Sequence, residues 1–351
     1  MEFLHGARVT AVKLAIVGMG MIGKRHHQAM KTLMEAELIA IVDPAEQAKE
    51  IALNEGIRWF AKTEEMLAEV VPEGVIVSTP TEIHLAPTLS ALEAGCHVLV
   101  EKPIAANLEE ARQIQKISKQ VDRNVMVGHH RRYYGLMEET RELVSSEKFG
   151  GLLAVHGQWT SRKADSYFIP QWRQQSSSGP VLINLIHEMD ILRFICGEIE
   201  SVTAQIQTGF RSHPKEETAA IILQFQSGVL GTFLLSDATP SPWNWEHATG
   251  ENVNFPHTGQ NSYYFMGSDA CLEFPNLRIW NSVGKPDWNY QMTMEEKLVP
   301  LEDAYIAQCH HFCGVVRGWE KPRITAEDAS KTLAVTLAVF DSAKQQQTIW
   351  L

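Results

Sequence analysis

Apolar and polar positions divide the first third of the chain into short and long runs. The short runs are rich in β-branched residues and have the length of buried strands; they lie at 13–17, 38–42, 74–78, 97–100 and 125–128, with a weaker one at 58–60. Between them, apolar residues recur at helical spacing at 22–34, 45–54, 84–94 and 108–119. Strands that alternate with helices are typical of a doubly wound parallel sheet. We therefore predict an α/β domain over residues 1–134.

After residue 134 the pattern changes, because strands follow one another with few helices between them. Strands are predicted at 152–159, 201–208, 219–225, 231–236, 263–266, 272–274 and 277–280. Helices are predicted at 136–145, 181–196, 303–319 and 326–345. A chain of 351 residues also exceeds the usual size of one hydrophobic core. We predict a second, α+β domain over residues 135–351, built on a large, mainly antiparallel open sheet.

Composition and charge narrow the class of protein. With 44% apolar and 21% charged residues the chain is an ordinary globular one. The formal net charge of -11 argues against a nucleic-acid partner, and Arg131 with Arg132 is too small a basic cluster to follow a phosphate backbone. No apolar run is long enough to cross a membrane, and five scattered cysteines predict free thiols in a reducing compartment. We expect a cytoplasmic, soluble protein in which residues 1–11 form a loose extension.

A glycine motif follows the first predicted strand and opens the first predicted helix. Its sequence is Gly18-Met19-Gly20-Met21-Ile22-Gly23, a G-x-G-x-x-G. In this context the first glycine turns the chain, the second lets the backbone approach a pyrophosphate, and the third lets helix pack on strand. The motif predicts a dinucleotide-binding (Rossmann) domain, with Gly18, Gly20, Met21, Ile22 and Gly23 at the cofactor.

A carboxylate at the end of the second predicted strand indicates which dinucleotide binds. Asp43 lies twenty residues beyond Gly23, where a carboxylate accepts hydrogen bonds from the adenosine ribose and repels a 2′-phosphate. No arginine follows it in residues 44–48 to hold such a phosphate. These features favour NAD over NADP. A purely structural role for Asp43, capping the next helix through the turn at Pro44, remains an alternative.

Three further segments occur in a fixed order along the chain. They are Ser78-Thr79-Pro80-Thr81-Glu82-Ile83-His84, Glu101-Lys102-Pro103 and Ile186-His187-Glu188-Met189-Asp190. With the glycine motif in register, this set resembles the glucose-fructose oxidoreductase, inositol dehydrogenase and rhizopine-catabolism (Gfo/Idh/MocA) family over nearly the whole chain. The resemblance implies a nicotinamide-dependent oxidoreductase of a sugar, cyclitol or related alcohol. It also implies a homodimer or homotetramer formed through the second domain's sheet.

The resemblance assigns roles to individual residues. It makes Lys102 the catalytic lysine, in contact with cofactor and substrate, His187 the proton-transfer histidine and Asp190 a substrate contact. It places five residues near the cofactor: Ser78, Thr79, Pro80, His84 and Glu101. In the inositol dehydrogenase pattern an aspartate stands four residues before the histidine, where this chain has Ile183, and Asn184 is the nearest polar group. This departure argues against a three-residue Lys, Asp and His mechanism and against a myo-inositol substrate.

The chemistry of hydride transfer supports a Lys-His pair on independent grounds. Oxidation of a carbinol needs a group to take the hydroxyl proton and a positive charge near the oxygen. We hypothesise that His187 accepts that proton while Lys102, at the carboxyl end of a predicted parallel strand, hydrogen-bonds the same oxygen. Asn184 and Asp190 lie three residues before and after His187, so all three share a helix face. A buried structural histidine and an exposed loop lysine remain the alternatives.

Several other side chains have two interpretations each. Arg131 either binds substrate hydroxyl or carboxylate groups or forms an interdomain ion pair. Trp172 either stacks on a sugar ring or packs an interface, and Trp245 is interpreted as an interface or core residue. The run Cys309-His310-His311-Phe312-Cys313 places its histidines off the cysteine face of a helix, so no metal site is predicted. The pair His26-His27 is interpreted as surface or packing residues.

Two other functions remain open from the sequence. One is a dehydrogenase of a non-sugar cyclic hydroxy acid or dihydrodiol, which Arg131 would favour. The other is a dinucleotide-binding regulator without turnover. The presence of both Lys102 and His187 argues against the regulator, because a protein that only binds the cofactor needs neither.

Overall fold

The computed structural model describes residues 10–351, so the predicted N-terminal extension lies almost wholly outside the described residues. The chain divides into two compact units, the first ending at Tyr133 but including Asp303–Lys331, and the second containing Tyr134–Glu302 and Thr332–Leu351. The segment Asp303–Lys331, which the sequence prediction placed in the second domain, packs with the first unit in the structure. Phe312, Cys309 and Val315 from that segment share one apolar core with the first strand.

The first unit is assembled from strands and helices in strict alternation. Its strands are β1 (Val12–Val17), β2 (Ala36–Val42), β3 (Arg58–Phe60), β4 (Gly74–Val77), β5 (His97–Val100) and β6 (Val125–Val127). Its helices before residue 134 are α1 (Met21–Met30), α2 (Glu46–Asn54), α3 (Thr63–Glu69), α4 (Leu85–Glu93) and α5 (Leu108–Val121). All neighbouring strands pair in parallel, in the order β3-β2-β1-β4-β5-β6.

The remaining chain is strand-rich. Its strands are β7 (Leu152–Thr160), β8 (Ile199–Thr208), β9 (Glu216–Phe225), β10 (Leu230–Ser236), β11 (Tyr263–Gly267), β12 (Ala270–Phe274), β13 (Arg278–Ser282), β14 (Met292–Glu296) and β15 (Ile349–Trp350). Its helices are α6 (Gly135–Val144), α7 (Ile186–Cys196), α8 (Trp245–Thr249), α9 (Ala304–Val316) and α10 (Ala326–Gln345). The strands form one nine-stranded sheet, ordered β14-β13-β12-β11-β7-β10-β9-β8-β15, in which β7 and β10 pair in parallel and the other pairs are antiparallel.

The predicted fold class is confirmed, and the differences have local causes. The six strands of the parallel sheet lie within two residues of their predicted bounds, and Asn107 caps α5 by accepting from Glu110 N at 3.0 Å. Helix α1 ends at Met30, four residues before its predicted end. Helix α3 was not predicted, because seven residues are too few to display a helical period. Strand β14 was also not predicted. All of its residues are exposed, so its sequence lacks the alternation of apolar and polar residues that marks a strand with one buried face.

Two further sequence expectations concern thiols and membranes. All five cysteines carry free thiols, as predicted. Over residues 10–351, no helix combines the length and the apolar character that crossing a bilayer requires. The longest helix, α10, begins with Glu327 and Asp328.

Candidate active site

The carboxyl ends of the parallel strands bring the sequence motifs of the first unit together. The strand order reverses between β1 and β4, and ligands of open parallel sheets bind at such a point. There the Ser78 hydroxyl donates to the carbonyl oxygen of Gly18 at 2.7 Å. The loop after β4 therefore packs directly on the glycine loop after β1.

The glycine motif forms an open cradle at the start of α1. Gly18 has φ of +92°, and a Cβ there would lie 2.7 Å from Thr79 N. A Cβ on Gly23 would overlap the carbonyl oxygen of Gly18, so only glycine lets the helix pack this closely. Beside Gly20, by contrast, no atom of the described chain lies within 4 Å of the added Cβ. This space, at the N-terminus of a helix, fits a dinucleotide pyrophosphate.

The helix start and the neighbouring loop show which predicted cofactor residues are accessible. Met21 is exposed, whereas Ile22 packs partly on the core. Pro80 is exposed and Thr79 is half-buried. These residues line the open side of the carboxyl edge, so a dinucleotide could reach their backbone or side chains.

Asp43 braces two loops at the same edge. One carboxylate oxygen accepts from Met19 N at 2.7 Å, and the other accepts from Ala45 N at 2.8 Å. The bond to Ala45 N closes the turn at Pro44, but the cap residue of α2 is Ala45, and no side chain caps that helix. Each carboxylate oxygen has further acceptor capacity, and the side chain is half-buried, so the same carboxylate can also accept from a ribose hydroxyl.

His84 lies beneath the loops and is not open to solvent. Its ring nitrogens lie 2.8 Å from the carbonyl oxygen of Thr79 and 2.9 Å from that of Pro103, and the residue is 1% exposed. Burial lowers the pKa of His84, against the opposing effect of these two carbonyl acceptors. This placement favours bracing of the Lys102-Pro103 loop over the cofactor contact that the resemblance implied.

Glu101, immediately before Lys102, has a buried partner that the sequence interpretation missed. His26 Nε2 lies 2.8 Å from its carboxylate, and His26 Nδ1 lies 3.7 Å from the Cys309 thiol. Burial alone would raise the pKa of Glu101, but the His26 hydrogen bond and nearby positive charge hold that pKa below its ordinary value. The buried Glu101 carboxylate also accepts from Lys102 N at 3.2 Å, and Lys102 itself is half-buried. His26 is buried and is not a surface residue.

His187 belongs to the second unit, in a helix whose first turn is unusual. The predicted helix 181–196 is present, but Val181–Leu185 is a π-helix that continues into α7. π-Helical turns are rare and often occur at functional sites. His187 and Asn184 are half-buried, and Asn184 Oδ1 accepts from Lys163 Nζ at 2.8 Å. Lys163 was not singled out from the sequence.

Asp190 and its neighbours on α7 are buried. Asp190 is 1% exposed, and Thr332 donates to it at 3.2 Å. Arg193, one turn further on, donates to the same threonine hydroxyl at 2.6 Å. Glu188 points the other way and accepts from Tyr263 OH. This placement favours a structural role for Asp190 over the predicted substrate contact.

The other candidate substrate residues lie in different environments. Arg131 is 3% exposed, and its neighbour Arg132 pairs with Asp328 at 2.6 Å within the first unit. Trp172 is 56% exposed, so it is available to stack on a ligand, whereas Trp245 is buried.

The cysteine and histidine side chains of the run in α9 have different surroundings. Cys309 and Cys313 are buried, and burial raises the pKa of the Cys313 thiol to about 11. His310 pairs with Glu35, and His311 pairs with Glu320 at 2.8 Å. Across residues 10–351, no three His, Cys, Asp or Glu side chains are grouped as metal ligands.

Comparisons with known proteins match both units. The model of the oxidoreductase family's NAD-binding Rossmann fold matches residues 12–129, and that of its C-terminal alpha/beta domain matches residues 141–351. The scyllo-inositol 2-dehydrogenase (NAD(+)) of Bacillus subtilis is 25% identical over 97% of this chain and 96% of that protein. The myo-inositol 2-dehydrogenase of Thermotoga maritima is 23% identical over 97% and 98%.

Solved structures have the same architecture. One is an oxidoreductase from Agrobacterium radiobacter in complex with NAD+, L-tartaric acid and magnesium; it is 21% identical, with a TM-score of 0.81 over 97% of this chain and 98% of that one. The glycine cradle, the Glu101-Lys102-Pro103 loop and the two family models lead to one assignment. The chain belongs to the Gfo/Idh/MocA family of oxidoreductases.

Proposed function

We propose that the protein is an NAD-dependent dehydrogenase of a sugar, cyclitol or related polyhydroxy compound, which interconverts a secondary alcohol and its ketone. The observation that carries this proposal is the open glycine cradle at the same sheet edge as Lys102. The inositol dehydrogenases among the relatives support the substrate class.

Residues of the first unit would hold the cofactor. The backbone from Gly20 to Ile22 would face the pyrophosphate, and Asp43 would accept from the adenosine ribose. NAD is favoured over NADP because Asp43 repels a 2′-phosphate and residues 44–48 contain no arginine. When bound, NAD+ supplies the acceptor for the hydride.

Lys102 and His187 are proposed as the catalytic pair. The hydrogen of the substrate C–H bond leaves as hydride, with both electrons of that bond. The O–H proton passes to His187, and a C=O bond forms. Lys102 stabilises the negative charge that develops on the oxygen. The buried Glu101 carboxylate, next to Lys102 in the chain, supports this role, because the two groups interact electrostatically.

Reduced-cofactor absorbance tests the proposal directly. We expect purified enzyme to reduce NAD+ with at least one member of a panel of cyclitols, aldoses and cyclic hydroxy acids. The rate with NADP+ should be lower by about tenfold or more, because the carboxylate of Asp43 repels the extra phosphate. Equal rates with the two cofactors would contradict the role of Asp43, and no turnover with any alcohol would contradict the dehydrogenase assignment.

We also propose that the protein forms a homodimer or homotetramer through the open face of its nine-stranded sheet. Ile222 of β9 and Leu230 and Leu234 of β10 are 56%, 57% and 40% exposed on alternating positions of adjacent strands. Contiguous exposed apolar side chains mark association surfaces. Sedimentation velocity should give the mass of a dimer or tetramer, and the Ile222→Lys variant should shift that mass towards the monomer. A monomeric parent protein would contradict this proposal.

A further inference from the structure

A buried histidine of α1 contacts the carboxylate that precedes the candidate catalytic lysine. His26 Nε2 lies 2.8 Å from Glu101 Oε1, and the two side chains are 0% and 6% exposed. Burial alone would raise the pKa of Glu101, but the His26 hydrogen bond holds that pKa below its ordinary value, so the carboxylate is ionised. Because an ionised carboxylate only accepts hydrogen bonds, His26 Nε2 carries the hydrogen and donates it.

Contacts on the other side of the imidazole ring fix its orientation. Cys309 Sγ of α9 lies 3.7 Å from His26 Nδ1. Burial raises the pKa of this thiol, so it stays protonated and can donate to Nδ1. The Tyr305 ring, also on α9, meets the imidazole edge-on with the ring centroids 5.2 Å apart. The ring of His26 is thus held between α9 and Glu101, with Nε2 directed at the carboxylate.

Both oxygens of the Glu101 carboxylate have defined partners. Oε1 accepts from His26, and Oε2 accepts from Lys102 N at 3.2 Å. A Cβ on Gly128 would lie 2.7 Å from Oε1, so the chain just after β6 closes the space on one side of the carboxylate. The carboxylate therefore connects a side chain of α1 to the backbone of the residue that carries the candidate ammonium.

The backbone is held on both sides of Lys102. On one side Lys102 N donates to Glu101, and on the other the carbonyl oxygen of Pro103 lies 2.9 Å from His84 Nδ1. A long, flexible side chain reaches a defined point most reliably from a fixed backbone. Displacement of a reacting group by about 1 Å can cost on the order of 100-fold in rate. The anchors of this loop therefore bear directly on the rate that Lys102 can support.

We propose that His26 is a positioning residue for the reaction: it holds the Glu101 carboxylate, which anchors the Lys102 backbone and so sets the place of the Lys102 ammonium. The inference rests on the proposed dehydrogenase function, in which Lys102 stabilises the charge that develops on the substrate oxygen. The side chain of His26 is 0% exposed, so its effect reaches the substrate only through Glu101 and Lys102. Loss of His26 lowers turnover and leaves dinucleotide binding intact.

Two amides of different reach test the inference. In His26→Gln the amide nitrogen takes the place of Nε2 and can still donate to Glu101, whereas in His26→Asn it takes the place of Nδ1 and faces Cys309. We expect kcat of His26→Asn to fall about 10- to 100-fold and that of His26→Gln to stay within about threefold of the parent's. KM for the alcohol and the Kd of NADH should stay within about threefold in both, because the lost interaction acts only in the transition state.

The neighbouring histidine supplies a matched control. His27, also buried on α1, lies 2.9 Å from Glu55 Oε2 at the end of α2. His27→Asn removes a comparable contact between a histidine and a carboxylate, so it should lower the melting temperature and leave kcat at the parent's value. Equal kcat in His26→Gln and His26→Asn, or an equal loss of kcat in His27→Asn, would overturn the inference.

A further variant displaces the carboxylate and keeps His26, which matters if His26→Asn does not fold. The methyl group of Gly128→Ala would lie too close to Glu101 Oε1, so the carboxylate must move. We expect the same loss of kcat, about 10- to 100-fold, with NADH affinity retained. Parent-like turnover of Gly128→Ala would contradict the anchoring role of Glu101 and, with it, the inference.

The proposed function and this inference fail in different ways. Absence of NAD+ reduction with every alcohol would count against the dehydrogenase function. Crystal structures of the parent, His26→Asn and His26→Gln with NADH would then decide the inference. Displacement of Lys102 Nζ by about 1 Å or more in His26→Asn, but not in His26→Gln, supports it, and an unmoved Lys102 in both variants overturns it.

Discussion

The Lys102→Ala enzyme is expected to turn over on the order of 10³-fold more slowly than the parent, while NADH still binds with similar affinity. Removing one group that stabilises developing charge on oxygen costs about 10² to 10³ in kcat, and Lys102 is proposed to be that group. The cradle at Gly20 and the Asp43 carboxylate lie on other loops, so the dinucleotide keeps most of its contacts. Steady-state kinetics and NADH fluorescence titration measure the two effects separately.

Two variants make the Lys102 result specific. Lys119→Ala removes an exposed lysine from α5 in the same unit and should behave as the parent does. Lys102→Arg keeps the charge but changes the geometry of the donor, so it should recover only part of the lost rate. Near-normal turnover of Lys102→Ala would remove the central claim about this site.

The sequence predicted correctly those elements of the fold whose apolar residues are the buried ones. Strand β3 has its predicted bounds, and β1, β4 and β5 are apolar runs because parallel strands are covered on both faces. The helix cap formed by Asn107 was likewise predictable from the residues that follow it. Such features depend on neighbours a few residues apart, and periodicity reports those neighbours directly.

Contacts between distant residues were beyond the reach of periodicity. His26 and Glu101 are 75 residues apart, and an apolar helix face does not show that α9 completes the first unit's core. One signal was available: Glu101 ends a buried strand, and a buried carboxylate needs a donor. The same reasoning applies to Asn184, whose side-chain oxygen accepts from Lys163, a residue that no motif includes.

Burial argues against two of the ligand contacts that the family resemblance implied. His84 and Asp190 are each 1% exposed and have partners within their own units. His84 contacts the loop that carries the candidate residue Lys102, and Asp190 lies on α7, which carries the candidate residue His187. A sequence motif records that a residue is needed near a site, but it does not separate a residue that touches the ligand from one that supports the site.

A pair of glycine variants should separate packing from ligand binding within one motif. Gly23→Ala places a methyl group against the backbone carbonyl of Gly18, which cannot move without disturbing β1, so we expect a clear fall in melting temperature and little NADH binding. Gly20→Ala meets no atom of the described chain within 4 Å, and the φ of Gly20, -69°, suits alanine. Its melting temperature should therefore match the parent's.

The Gly20→Ala protein should nevertheless bind NADH about tenfold or more weakly, because the added methyl occupies the space where the backbone approaches the pyrophosphate. Gly151→Ala, which also meets no described atom within 4 Å, is the control for the substitution itself. Thermal unfolding and NADH titration on all three proteins give the comparison. Parent-like NADH affinity in Gly20→Ala would place the phosphates elsewhere, and a parent-like melting temperature in Gly23→Ala would show that α1 can shift away from β1.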